Sequence, residues 1–463
     1  MTKKKLFGTD GIRGHVDSVR MQPKSMQTLA SVIGQLIKDA VKSQGQKNAS
    51  VLIGRDTRAS GPEIEKALIA GFLAQKIECQ CLGVLPTSLL AHHTRKTSAA
   101  LGIMISASHN PFHDNGLKFF DAQGLKISSA LEQEIEGRYF FESPVGTISP
   151  PATLQFKSAL HQDALAAYRD TLKDAFALKE GSDRIKVIID CANGAASHIA
   201  PAIFIDFGFS VFVIGASPDG YNINRNFGSE APDTLRDAVI KRQADLGIAF
   251  DGDADRVIFV DEGGNVIDGD AILALLASNF KRKGQLAKHT VVATVMSSMV
   301  LDRALAAEGI SVSRTEVGDK FVVRHMLDQG YSFGGENSGH LIKFPEATTG
   351  DGIFSALHVL DILQRAKIPA SRLVRFFEPT PKLLRNIDIV EKIPFDQLPK
   401  TQALIDHANQ HLNSGGRVMM RYSGTENKAR LLVEAPSNEE CHRIANTIFA
   451  EYIRELLAFC PQG

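Results

Sequence analysis

The stretch VLIGRD at residues 51–56 is a short apolar run that stops on charged residues, and a helix-like segment, PEIEKALIAGFLAQ at 62–75, follows it. A second apolar run, IECQCLG at 77–83, comes next. Short apolar runs bounded by polar or small-residue loops read as buried strands. The same order recurs from VIIDCANG (187–194) through ASHIAPAIFIDF to FSVFVIG, and from VVATVMSS (291–298) through MVLDRALAAEG to ISVSRTEVG. Strand, loop, helix, strand three times over predicts an α/β protein with three related domains.

Beyond residue 376 the pattern changes. LLRNIDIV reads as a strand, TQALIDHANQHLN as a helix, and GRVMMRYS and KARLLVEAP as paired strands around SGTEN. A last helix from 438 opens with a capping signal, Ser437 followed by Glu440. This is a smaller C-terminal α+β domain. The expected domains are therefore 1–155, 156–262, 263–376 and 377–463, and a chain of 463 residues is too long for a single core.

With 52 Lys and Arg against 52 Asp and Glu the chain lacks the basic field of a nucleic-acid binder. No apolar stretch approaches the ~20 residues that span a bilayer. The nearest, AIFIDFGFSVFVIGA at 202–216, is broken by Asp206 and two glycines and reads as a helix end running into a strand. MTKKKLFGTDGIRG has no apolar core of a secretory signal. Cysteines at 79, 81, 191, 441 and 460 fit no zinc or disulfide framework, so reduced thiols in the cytoplasm are expected.

Four stretches carry chemistry. GIMISASHNP at 102–111 leads a buried-looking strand into a polar turn. That is either ordinary Asn-Pro turn chemistry or a strand end presenting a serine to a substrate. AFDGDADR at 249–256 places Asp251, Asp253 and Asp255 at alternate positions. Three carboxylates so close repel by roughly 2–4 kcal/mol per pair at an effective dielectric near 20, which calls for a cation. The loop lacks the glycine and glutamate of an EF-hand, and hard oxygen ligands suit Mg²⁺. RYSGTENKAR at 421–430 sets Ser423, Gly424 and Thr425 between Arg421 and Arg430, a hairpin turn or a phosphate cradle. GGENSGH at 334–340 offers Glu336, Ser338 and His340 on a glycine-flanked loop, either turn composition or a grip on sugar hydroxyls.

Together with FGTDGIRG (7–14), GRDTRASG (54–61), DCANGA (190–195), VGDKFV (317–322) and TTGDG (348–352), these stretches resemble, in order and over essentially the whole chain, the α-D-phosphohexomutase superfamily. The resemblance implies a four-domain, heart-shaped protein with one loop from each domain in a central cleft. It implies a phosphoserine at Ser108, with Ser106 shaping the turn, and one Mg²⁺ per subunit held by Ser108, Asp251, Asp253 and Asp255. Lys118 matches the family's candidate general base, its pKa depressed by a cationic cleft, with His109 and His340 as rivals. Arg13 and Arg256 match positions near the phosphoserine, and Gly318, Asp319, Glu336, Ser338 and His340 match sugar-binding positions. Arg421, Ser423, Gly424, Thr425 and Arg430 would hold the phosphate that is not reacting, on a domain that moves.

E-N-S-G-H and V-G-D-K-F-V favour the superfamily's glucosamine branch. The implied reaction interconverts glucosamine 6-phosphate and glucosamine 1-phosphate through a bisphosphate, supplying UDP-N-acetylglucosamine and cell-wall synthesis. The runner-up is the mannose and glucose branch; a binding protein without turnover and a phosphatase are more distant rivals. Ala254 in the metal loop, and Asn427 and Lys428 in the phosphate loop, depart from the family's usual residues. A sugar phosphate is the expected partner, with no nucleic acid or membrane, in a monomer or homodimer.

Overall fold

A computed structural model of the chain describes residues 5–8, 10–43, 49–141, 158–176, 185–422 and 427–459. The domain boundary expected near 155 falls outside them.

The first sheet contains β1 (Ile12–His15), β2 (Ser50–Arg55), β3 (Glu78–Val84), β4 (Leu101–Ile105) and β5 (Asp114–Phe120), in the order β1-β5-β4-β2-β3. β2 runs parallel to β3 and β4, while β5 runs antiparallel to β4 and β1. β4 is buried along its whole length. Ile53, Ile103, Leu117 and Phe119 meet Leu29 and Ile33 of the helix Pro23–Ser43 and Leu68 and Phe72 of the helix Gly61–Ala74 in one core.

The second sheet repeats the plan. β6 (Lys186–Asp190), β7 (Ser210–Ile214), β8 (Leu246–Phe250), β9 (Val257–Asp261) and β10 (Val266–Ile267) lie in the order β10-β9-β8-β6-β7, with β6 parallel to β7 and β8, and β9 antiparallel to β8. The third keeps four strands, β11 (Thr290–Thr294), β12 (Ser311–Thr315), β13 (Phe333–Gly335) and β14 (Leu341–Lys343), in the order β12-β11-β13-β14. β11 is parallel to β12 and β13, and β14 is antiparallel to β13.

In each sheet one parallel strand hands over to an antiparallel neighbour: β4 to β5, β8 to β9, β13 to β14. The intervening loops are SASHNPFH, DGDADR and ENSGH. Three unlike motifs therefore occupy one structural position.

The fourth sheet, β15 (Lys382–Asp388), β16 (Arg417–Tyr422) and β17 (Lys428–Glu434), is antiparallel in the order β15-β17-β16. The helices Pro399–Leu412 and Asn438–Phe459 cover it through Ile405, Leu412, Ile444 and Ile448. The capping signal is realised on one side: the Glu440 amide donates to Ser437 Oγ at 3.2 Å.

The chain forms two compact units, 1–296 with 309–375, and 297–308 with 376–463. The helix Met299–Ala306, which the sequence pattern assigns to the third α/β repeat, lies in the second unit. There the Met299 amide donates to Glu434 Oε2 at 3.3 Å, and Arg417 reaches both Glu434 and the Ser297 carbonyl. Among the described residues no helix is long and apolar enough to cross a membrane.

Candidate active site

The turn after β4 is held by side chains the sequence did not single out. Ser108 sits in the left-handed region (φ 54°), rare for a residue with a Cβ. Arg58, fully buried, keeps it there. Its guanidinium pairs with Asp56 at 2.9 Å and donates to the carbonyls of Ser108 (3.0 Å), Asn110 (2.8 Å), Asp114 (2.9 Å) and Pro111. Ser106 shapes the turn: its hydroxyl donates to Asp56 (2.8 Å) and accepts from the Ser108 amide (2.9 Å).

That geometry delivers the Ser108 hydroxyl to domain II, where it donates to Asp251 Oδ2 at 2.5 Å. Ligand atoms of Asp251, Asp253 and Asp255 all lie within 4.8 Å of one another, and all three residues are buried. Gly252 is required between them, since a Cβ there would stand 2.6 Å from the Ser108 carbonyl oxygen. Asp253 Oδ2 accepts from Thr87 (2.5 Å) and Lys118 (2.7 Å), and Asp255 Oδ2 from Lys118 (2.5 Å). Asp253 Oδ1 is buried without a hydrogen-bond partner among the described residues, and Asp255 Oδ1 has only the long 3.5 Å ion pair to His340 Nδ1. Burial and the neighbouring carboxylates drive Asp251 well above the usual carboxylate range. One orphaned oxygen and one weakly paired one, beside a carboxylate pushed toward neutrality, are what an oxygen-coordinated divalent cation would satisfy, so the residues fit Mg²⁺.

Lys118 faces carboxylates, which oppose the depressed pKa expected of it. Burial would lower its pKa, but it lies against Asp253 and Asp255 with Asp10 beyond, and these carboxylates raise it well above its ordinary value. His109 differs: burial and Arg256 bring it down to about 3, so the ring is neutral. Arg256 can only donate, so the 3.0 Å contact makes Nδ1 the acceptor and leaves Nε2 carrying the hydrogen.

A closed circuit of alternating charge runs around the site. Asp10 pairs with Lys126, Lys126 with Asp319 (2.5 Å), Asp319 with His340 Nε2 (3.2 Å), His340 Nδ1 with Asp255 (3.5 Å), Asp255 with Lys118, and Lys118 with Asp10 (3.8 Å). Arg13 joins through Asp10 at 2.5 Å. The Gly350 amide lies 3.0 Å from His340 Nε2, yet two facing carboxylates outweigh one amide. They overcome the burial that lowers the imidazole and hold it at about 10. Asp319, raised by burial, is brought down to about 2 chiefly by Lys126.

The sugar loop is tied to the VGDKFV segment by Glu336, which accepts from the Gly318 amide at 3.0 Å. Gly339 turns it (φ 85°), where a Cβ would meet the Val257 carbonyl oxygen at 2.0 Å. Ser338 is half-buried in the same loop. One compact unit thus brings together Arg13, Ser108, His109, Lys118, the three aspartates, Arg256, Gly318, Asp319, Glu336 and His340.

In the other unit Arg421 and Arg430 are direct cross-strand partners on β16 and β17. Ser423, Gly424 and Thr425 lie outside the described residues. Asp10, Asp56, Arg58, Thr87, Lys126 and Asn224 were missed. Asp10, Asp56 and Arg58 fall inside the FGTDGIRG and GRDTRASG stretches, so a signal was present, but only as part of a resemblance.

Family models match throughout: phosphoglucomutase/phosphomannomutase α/β/α domains I (4–144), II (166–264) and III (268–380), and the C-terminal domain (384–451). The phosphoglucosamine mutase of Anaeromyxobacter sp. (strain Fw109-5) is 42% identical over 98% of this chain and 96% of its own. That of Anaeromyxobacter dehalogenans (strain 2CP-C) is 43% identical, covering 97% and 98%. A phosphoglucomutase/phosphomannomutase family protein from Burkholderia thailandensis shares the fold with a TM-score of 0.79 at 21% identity, covering 100% and 99%. The chain belongs to the phosphoglucomutase/phosphomannomutase family and, within it, to the phosphoglucosamine mutases.

Proposed function

We propose that this chain carries a phosphoryl group on Ser108 and uses it to interconvert glucosamine 6-phosphate and glucosamine 1-phosphate. The observation that carries the reading is the buried Ser108 hydroxyl donating to one of three clustered aspartates. The serine O–P bond breaks as an O1–P bond forms on glucosamine 6-phosphate, and the O1 proton ends on the freed Ser108 oxygen. The resulting bisphosphate turns end for end, its O6–P bond breaks as the 6-phosphoryl returns to the Ser108 oxygen, and the Ser108 hydrogen, directed at Asp251 beforehand, ends on O6.

Ser108, Asp251, Asp253 and Asp255 would hold Mg²⁺, which when bound supplies positive charge opposite the transferring oxygens. Phosphoryl transfer asks mainly for positioning and charge. Lys118 meets that need as a cation, His109 as an Nε2–H donor, and Arg13 and Arg256 as further cations. Glu336, Ser338 and His340, braced by Gly318 and Asp319, take the sugar, and Glu336 suits a protonated 2-amino group. Arg421, Ser423, Gly424, Thr425 and Arg430 hold the distal phosphate. Closing the site over the sugar would keep water from the phosphoserine. A cytoplasmic setting follows from such a substrate.

Ser108→Ala should abolish turnover, and intact mass should show one phosphate on the wild type and none on the variant. Efficiency should be higher with glucosamine 6-phosphate than with the glucose or mannose analogue. Phosphate retained in Ser108→Ala would refute the serine, and a preference for glucose 6-phosphate would move the chain to the other branch.

A further inference from the structure

Ser108 is gripped from domain II at two points, and the mechanism above uses only one. Asp251 takes the hydroxyl. Asn224, on the loop beyond β7, donates its amide to the carbonyls of Ser108 (2.9 Å) and Asn110 (3.0 Å). It approaches the serine turn from the domain opposite Arg58, so the Ser108 carbonyl has one donor from each domain. Its own seat is firm. The Asn224 backbone is left-handed (φ 59°), a conformation asparagine tolerates, and its amide donates to the Ala192 carbonyl at 2.8 Å. Asn193 beside that carbonyl accepts from the Ser217 amide and donates to Asn222 at 3.4 Å, tying both ends of the loop to the turn after β6. Gly252 lies against the Ser108 carbonyl and the Asn224 side-chain amide, with no room for a Cβ.

We propose that Asn224 is a positioning residue for phosphoryl transfer: by holding the Ser108 carbonyl on the domain II side, it keeps the serine oxygen aligned on Asp251. This rests on the reading of Ser108 as the phosphoryl carrier. Ser108 occupies a backbone conformation that is unfavourable for a side-chain-bearing residue, and such conformations persist where surrounding contacts over-determine them. Arg58 fixes the turn within domain I, while Asn224 fixes it against the aspartates. Misplacement on the scale of an ångström can cost about 100-fold in rate.

Asn224→Asp isolates the hydrogen bonds, because it keeps the shape and the left-handed tolerance but sets an acceptor against two carbonyls. Asn224→Gly keeps backbone freedom, removes the amide without adding charge, and carries the test if the first variant fails to fold. We expect kcat per phosphorylated Ser108 to fall about 30-fold or more in both, with KM for glucosamine 6-phosphate within threefold of wild type. Transfer to sugar relative to hydrolysis by water, followed by intact mass, should fall at least tenfold. A merely structural role would lower Tm and the phosphorylated fraction but leave both quantities unchanged. A kcat per phosphorylated site within threefold of wild type in either folded variant would overturn the proposal. Absence of phosphate and turnover in the wild type would instead refute the reading of Ser108.

Discussion

Arg58 directs its guanidinium at one carboxylate and four carbonyls, all around the turn that carries Ser108. Burial raises Asp56, and Arg58 is the main influence opposing it. Arg58→Met would strand that carboxylate and should cost about 3–5 kcal/mol in denaturant unfolding. Arg58→Lys should recover less than half, because an ammonium cannot reproduce the fork. A loss below 1 kcal/mol for Arg58→Met would contradict the role. Asp190 gives a pH signature at the same scale. Burial lifts it to about 7, against the Gly228 and Ala192 amides that favour the anion. A folded pKa raised above the unfolded value contributes stability that is full below pH ~4 and lost as pH rises through about 7. Over that window wild type should lose up to roughly 4 kcal/mol that Asp190→Asn does not lose. A stability difference between the two that stays constant from pH 5 to 8 would refute this.

The β16–β17 hairpin sets Arg421 directly against Arg430. Like charges facing each other across strands are destabilising. Their place beside the SGT stretch makes the pair the part of the proposed phosphate grip that can be tested directly. Inorganic phosphate should therefore raise the Tm of wild type, and Arg421→Gln should remove more than half of that rise. The same change should raise KM for the sugar phosphate about tenfold, near the ~1.5–3 kcal/mol of one charge-assisted hydrogen bond. An unchanged phosphate effect would dismiss the hairpin as an anion grip. At this scale the sequence was readable for strands: VLIGRD, VIIDCANG and VVATVMSS became β2, β6 and β11. The equivalence of the three chemical loops was not readable. SASHNPFH, DGDADR and ENSGH share a place between paired strands but no common residue pattern, because topology fixes the place and chemistry the residues.

Three domains meet in the circuit Asp10–Lys126–Asp319–His340–Asp255–Lys118, and each carboxylate touches two cations. Burial lowers Lys126, but Asp10 and Asp319 raise it above its ordinary value. Lys126→Met would leave the buried Asp319 and the partly buried Asp10 short of a partner and loosen the sugar loop from the serine side. We expect a loss of about 3–5 kcal/mol in stability together with a fall of tenfold or more in kcat. Lys126→Arg should restore most of both. Full activity in a folded Lys126→Met would show that the circuit is dispensable for the chemistry.

The three aspartates stood out in the sequence because alternate carboxylates are an unusual motif, whereas Ser108 and the sugar loop have ordinary turn composition and were named through the family resemblance; the repeat of strand, loop and helix marked the three α/β domains. Asn224, Arg58 and Lys126 could not be weighed that way, because their importance lies in partners 50 to 193 positions away. The charge of Lys118 was decided by folding too. Its neighbours along the chain, Leu117 and Phe119, are apolar, and only the tertiary structure sets it between Asp253 and Asp255, where their charge outweighs the burial that would have made it a base.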